Sequence, residues 1–184
     1  MKRAFDIVVC ASSLLILWPF LLLVVVAIRI QSPGRAIFSQ VRVGKHGHPF
    51  TCYKLRTMHL GTASLPTHQV KASAVTALGE YLRRFKMDEL PQLWNVLTGD
   101  MSLVGPRPCL PSQTELIAAR QQLGVFELRP GITGLAQVKG VDMSDPTRLA
   151  EIDARYVRTQ SMMGDLKLIW ATLRGQGVGI DQVR

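Results

Sequence analysis

Three regimes of apolar and polar spacing follow one another along the chain. Residues 7–28 carry no charge and are dominated by Leu, Val and Ile. As a helix rising 1.5 Å per residue, such a run is long enough for about 30 Å of hydrocarbon. Residues 36–43 and 50–58 shorten to β-like runs around a turn at residues 44–49, predicting two short strands. Helical spacing then returns. It predicts a helix over residues 78–85, and a second over 87–97 that has Asp88 near its N-cap and Pro91 in its first turn and ends at Gly99. Ser112-Gln113-Thr114-Glu115 is a capping-box pattern opening a helix that Gly124 ends. Asp145-Pro146 opens another, and residues 161–173 form a last, largely uncharged one. The pattern predicts an α/β fold: an apolar helix of membrane length with a basic flank over residues 1–35, and one small domain over residues 36–184.

The flanks of the apolar run refine its topology. Lys2 and Arg3 precede it, and Arg29, Arg35, Arg42 and Lys45 follow, so positive-inside bias draws both ends to the cytoplasm. Pro19 sits near the middle, where it removes a backbone hydrogen bond and kinks the helix, so that both ends can return to one face. The competing reading is a kinked helix that spans. A cleaved signal peptide does not fit, because the run is long and no small-residue cleavage site precedes Arg29.

Charge narrows the partners. With 22 Lys plus Arg against 13 Asp plus Glu the net charge is +9, which calls for anions: lipid headgroups or phosphorylated substrates. No nucleic-acid module is present, and the basic residues are not interleaved with stacking aromatics, so no nucleic-acid partner is expected. Cys10, Cys52 and Cys109 are odd in number and widely spaced, giving neither a disulfide framework nor a zinc pattern. His59 and His68 flank or fall within a polar, small-residue segment at residues 61–74 that reads as a surface loop and not as a metal site.

The chemistry gathers around Asp88-Glu89. Adjacent helical residues lie about 100° apart, so these carboxylates are suited to separate tasks, one as nucleophile and one on a divalent metal. An exposed acidic first turn, favoured by the helix dipole alone, is the plainer alternative. Lys54 and Arg56 alternate with Leu55 and would leave a strand on one face. Arg83 and Arg84 stand just ahead of the acidic pair, where they could pair with Glu80 or Asp88 or clamp a diphosphate. Arg107 is held in the rigid Gly105-Pro106-Arg107-Pro108 segment, as a phosphate ligand or as half of a buried ion pair. Arg129 opens Pro130-Gly131-Ile132-Thr133-Gly134, a turn system whose glycines permit close backbone approach.

Taken in order, Lys54-Leu55-Arg56-Thr57-Met58, Arg83, Asp88-Glu89-Leu90-Pro91-Gln92-Leu93, Asn95-Val96-Leu97, Gly99-Asp100-Met101-Ser102, Gly105-Pro106-Arg107-Pro108 and Arg129-Pro130-Gly131-Ile132-Thr133-Gly134-Leu135 closely resemble the monotopic phosphoglycosyl transferases among bacterial sugar transferases. The resemblance spans nearly the whole chain. It implies transfer of a phosphosugar from a UDP-sugar to polyprenol phosphate at the cytoplasmic face of the bacterial plasma membrane, as the first membrane step of glycoconjugate assembly. It further implies Asp88 as nucleophile, Glu89 on Mg²⁺, Lys54, Arg83, Arg107 and Arg129 around the substrate phosphates, Asp153 and Tyr156 at family positions, a re-entrant helix broken at Pro19, and interfacial amphipathic helices including residues 161–173. Further partners would be the bilayer, a second copy of the chain, or downstream glycosyltransferases. Two departures stand out: Trp18 replaces the serine of a Ser-Pro break, and Gly140-Val141 stands where the family carries Gly-Arg. Two alternatives to covalent catalysis remain at this level: single displacement with Asp88 as base or metal ligand, and a silent membrane-surface scaffold. The sugar, the prenol length, the pathway and the oligomeric state are not legible.

Overall fold

The computed structural model describes residues 1–61 and 74–176, so His68 lies outside the described residues. The chain opens with α1 (Lys2–Gln31), a helix of 30 residues that contains Pro19. An antiparallel hairpin of β1 (Ile37–Val43) and β2 (Pro49–Leu55) follows, with Ile37 opposite Leu55 and Val43 opposite Pro49. After it come α2 (Ala77–Arg84), a 3₁₀ turn (Met87–Glu89), α3 (Gln92–Thr98) and β3 (Ser102–Val104). The remainder is α4 (Thr114–Gln122), β4 (Gly131–Thr133), α5 (Leu135–Val138), α6 (Pro146–Thr159) and α7 (Met162–Leu173). Among the described residues β3 and β4 form a second, parallel sheet of two strands. Helix and sheet are therefore mixed as expected, with the sheets small and the helices dominant.

Three apolar clusters hold these elements. One joins Val43, Cys109, Leu116, Phe126 and Leu149 and receives the partly buried Val141. A second joins Cys10, Cys52, Leu93, Val96 and Met101, and a third Val24, Ile28, Leu55 and Leu82. All three cysteines are thus buried thiols in apolar surroundings. Two of the clusters contain residues of α1, one from each end. Polar contacts reinforce both attachments: Arg3 donates to Val96 O and Leu97 O at the end of α3, Asp6 accepts from Ser102 Oγ at 2.7 Å, and Lys2 pairs with Asp165. At the other end Arg56 donates to Ser32 O at 2.6 Å and to Pro33 O at 2.8 Å. The middle of α1 is uncovered, with Leu15 and Ile16 about three-quarters exposed (75% and 74%).

Arg56 corrects the expectation that it leaves the sheet beside Lys54. β2 ends at Leu55, short of the predicted Met58, and Arg56 turns inward to become a buried clasp on the C-terminal carbonyls of α1. The predicted capping box is also absent: α4 begins at Thr114, with Gln113 in the N-cap position and no side-chain cap. Gln113 Oε1 instead accepts from Leu110 N, diverting that segment into a turn before the helix. α3 also starts later than expected, at Gln92 and not near Met87, whereas α2, α6 and α7 start within a residue of expectation. Thr76 caps α2, Asp145 caps α6 through Arg148 N with Pro146 at its first position, and Ser161 caps α7. Met163, Leu166, Trp170 and Leu173 of α7 are exposed, so this helix keeps an uncovered apolar face.

Candidate active site

The site is built where β2, the turn after α2, and the Gly105–Pro108 loop converge. Asn95 makes the first link. This fully buried side chain of α3 accepts from Tyr53 N at 3.1 Å and donates to Thr51 O at 2.7 Å, occupying the edge of β2 that β1 leaves free. With α3 pinned there, the preceding turn falls beside Lys54. Lys86 adopts a left-handed conformation (φ 54°), which ends α2 and starts the turn Met87–Glu89. Pro91 has no N–H, so the i→i−3 bonds from Glu89 N to Lys86 O and from Leu90 N to Met87 O are interrupted and resume at Leu93 N. Asp88 consequently sits in a separate 3₁₀ turn and is not the N-cap of α3, contrary to expectation; the N-cap position belongs to Pro91. The helix-dipole argument for its charge falls with that placement.

Side-chain cations take over the role. Glu89 Oε1 accepts from Lys54 Nζ at 2.7 Å and from Arg107 Nη2 at 2.8 Å, with the Glu89 side chain only 12% exposed. Burial alone would raise the Glu89 carboxyl, but the Arg107 and Lys54 charges and their hydrogen bonds outweigh it and hold the group well below the usual carboxylate range. Asp88 differs. It makes no side-chain hydrogen bond or ion pair among the described residues. Burial raises its carboxyl above the ordinary range, Glu89 adds to that, and Lys54, Arg83 and Arg107 pull the other way. One carboxylate of the adjacent pair is held by two cations and the other carries no side-chain bond among the described residues.

Arg83 is positioned by Thr57, whose Oγ1 accepts from Arg83 Nε at 2.9 Å. Arg84 is exposed and stacks over Phe85 at 5.8 Å. Arg107 is fixed through its backbone: Gly131 N donates to Pro106 O, Arg42 to Pro108 O at 3.1 Å, and Arg120 Nη1 to Arg107 O at 2.8 Å. The loop can lie this close to β4 because neither strand carries a side chain there; a Cβ on Gly131 would stand 2.0 Å from Gly105 N. Arg120 is itself buried and held by Asp153 Oδ2 at 2.6 and 3.0 Å. Asp153 therefore braces the loop and does not face the cleft. Tyr156, also buried, bonds Asp165 Oδ1 at 2.7 Å. Arg129 is not drawn to the acidic pair. Its Nε donates to Gly99 O at 2.7 Å, at the far end of α3.

Lys54, Glu89 and Arg107 line a shallow, open cleft together with Arg42, Cys52 and Gln92. Sequence reasoning treated Arg42 only as a basic flank and passed over Gln92, Asn95 as the link to β2, and Arg120. The one available signal was the alternation of Arg42 with apolar β1 neighbours. Among the described residues no three His, Cys, Asp or Glu side chains gather as a metal cluster. A divalent ion here would rely on Glu89 Oε2, which has no bonded partner among the described residues, on Asp88, and on substrate phosphates and water. That sparse donor set suits Mg²⁺, which keeps waters and shares phosphate oxygens.

A family profile described as bacterial sugar transferase matches residues 1–176. The chain belongs to the bacterial sugar transferase family. It is 42% identical over 183 residues to the UDP-glucose:undecaprenyl-phosphate glucose-1-phosphate transferase of Caulobacter vibrioides, covering 94% of this chain and 68% of that protein. It is 38% identical to the Escherichia coli protein of the same name, covering 94% of this chain but 39% of that relative. The exopolysaccharide production protein PSS of Rhizobium leguminosarum bv. phaseoli is 40% identical over 96% of this chain and 98% of its own length. The sugar transferase family thus includes members about as long as this chain and others more than twice as long.

Proposed function

We propose that the chain transfers a phosphosugar from a UDP-sugar to polyprenol phosphate by double displacement through Asp88. The observation that carries this reading is the contrast within the acidic pair: Glu89 is bound by two cations, while Asp88 is unbonded under the influence of three. An Asp88 Oδ atom attacks the sugar-bearing phosphorus, and the bond to the nucleotide-side phosphate breaks, its electron pair leaving on UMP. Polyprenol phosphate then attacks the same phosphorus, releases the Asp88 carboxylate and yields the polyprenyl-diphosphate sugar. No proton need reach the leaving phosphate, and among the described residues no histidine lines the cleft. Lys54, Arg83 and Arg107 offset the negative charge that would repel a carboxylate from a diphosphate. Mg²⁺, held by Glu89 and phosphate oxygens, would supply further charge neutralisation at the leaving group. The names of the relatives make UDP-glucose and undecaprenyl phosphate the first pair to assay.

The proposal extends to placement. α1 is the one helix among the described residues long and apolar enough to cross a membrane, with mean hydropathy 2.6 and 11% of its apolar window buried. Its two ends dock on one domain, at Cys10 and at Val24. The residues between them cover about 21 Å, short of the ~30 Å of a hydrocarbon core. This supports a helix that dips into the cytoplasmic leaflet and returns, with the exposed face of α7 at the interface. Incubation with UDP-sugar in the absence of polyprenol phosphate tests the chemistry: UMP should appear in amounts comparable to enzyme, with one phosphosugar mass added to the peptide carrying Asp88. UMP formed only when polyprenol phosphate is present would favour single displacement. No UMP from any UDP-sugar would favour the scaffold.

A further inference from the structure

Arg42 stands in the wall of the cleft with no carboxylate bonded to it among the described residues. It projects from β1, and its two hydrogen bonds go to neutral oxygens: Nη1 to Pro108 O at 3.1 Å and Nη2 to Gln40 Oε1 at 2.5 Å. No carboxylate among the described residues pairs with it, whereas Lys54 and Arg107 share Glu89. Arg107, a like charge, lines the same cleft wall, and the Glu89 carboxylate there is already shared by Lys54 and Arg107. Burial and the Arg107 guanidinium both disfavour the charged form of Arg42, yet a guanidinium does not deprotonate in a protein. Placing two arginines side by side in a partly desolvated cleft carries a cost that a bound anion removes. The forked donors left over on Arg42 have the geometry phosphate takes.

Position along the cleft says which phosphate. Glu89, the chain neighbour of Asp88, is bonded by Lys54 at 2.7 Å and by Arg107 at 2.8 Å, so these groups mark the Asp88 end of the cleft, and Arg42 makes no bond to them. Arg42 sits instead beyond Arg107, next to Pro108 and within the same cleft wall. The phosphorus that Asp88 attacks must lie with the first group, so the next phosphate along falls to Arg42.

We infer that Arg42 binds the nucleotide-side phosphate of the donor, the one that departs in UMP, and so sets affinity for donor and nucleotide product. The inference rests on the proposed UDP-sugar chemistry, and its test separates the two. UMP binding to the full chain in detergent is measured by calorimetry, together with KM and kcat for UMP release from the UDP-sugar. Arg42→Gln should weaken UMP about tenfold or more and raise KM for the donor similarly, the loss expected for a charge-assisted hydrogen bond. Arg42→Lys should recover part of that affinity, because the charge is kept while the fork is lost. Equal UMP affinity in wild type and Arg42→Gln overturns the inference and leaves the reaction intact. So does an equal loss in the Lys and Gln variants with kcat falling in step, which would assign Arg42 to propping Pro108. Wild-type protein that neither binds UMP nor releases it overturns the underlying reading.

Discussion

At the scale of single residues, the acidic pair shows how neighbours in sequence acquire opposite characters. Glu89 is stabilised as an anion by Lys54 and Arg107, and Asp88 is left with a raised affinity for its proton by burial. A nucleophilic carboxylate must be ionised, so kcat/KM should fall as pH drops through the Asp88 value. That acid limb should lie above the ~3.9 of an ordinary aspartate. Arg83→Gln removes a charge that favours the ionised form and should move the limb to higher pH still. A limb at or below the ordinary value would contradict the assignment. Asp88→Asn should abolish both the UMP burst and turnover while keeping the melting temperature, because the carboxylate has no hydrogen bond to lose. Glu89→Gln keeps size but not charge. It should cost at least two orders of magnitude in kcat and lose dependence on added Mg²⁺, with EDTA abolishing wild-type UMP release; full wild-type activity in excess EDTA would remove the metal.

At the scale of elements, the site depends on close approaches that have no periodic signature. α2 crosses the end of β2 so tightly that a Cβ on Gly79 would stand 2.1 Å from Thr57 O, a backbone atom that cannot step aside. Gly79→Ala should therefore displace α2, and Arg83 with it, lowering the thermal midpoint and activity together. Asp153→Ala should cost about 3–5 kcal/mol, because it strands the Arg120 charge in the core. It should also depress activity by loosening the Arg107 carbonyl that Arg120 holds, which denaturant unfolding and UMP release measure separately. Helix existence was legible from spacing over residues 78–85 and 161–173 and from the Asp145-Pro146 start, and the structure has helices at all three places. The placement of Asp88 was not, because it turns on a left-handed Lys86, and a lysine gives no hint of positive φ. Arg56 misled for a related reason. Strand alternation describes a side chain's direction only while the strand lasts, and β2 ends one residue earlier. That Lys54 and Arg107 gather near the acidic pair was expected from motif resemblance, but that both converge on one oxygen of Glu89 follows from Asn95 fixing α3 against β2, a long-range contact invisible to any local pattern.

At the scale of the whole molecule, α1 is bound to the domain it would anchor. A helix standing straight across a bilayer could not place Asp6 and Cys10 against α3 and β3 while Val24 and Ile28 pack under Leu55 and Leu82, since one rigid domain would then occupy both sides. Basic residues at both flanks led to the same expectation of sidedness from sequence, and the docking of both ends on one domain is a second observation in favour of the proposed arrangement. Ala4 and Arg35 are exposed on either side of the apolar run and take part in neither attachment. In a background where Cys10, Cys52 and Cys109 are replaced, a single cysteine at either position should react with a membrane-impermeant maleimide only after the cytoplasmic face is opened. Pro19→Ala restores the missing backbone hydrogen bond and favours a straighter helix. It should weaken one of the two docked ends, seen as faster labelling at Ala4→Cys or Arg35→Cys and a lower melting temperature. Labelling of Ala4→Cys from intact cells would show that the first turn lies outside. The polar contacts of Lys2, Arg3 and Asp6 would then have to be broken in the membrane-bound protein, and the dipping arrangement of α1 would be wrong.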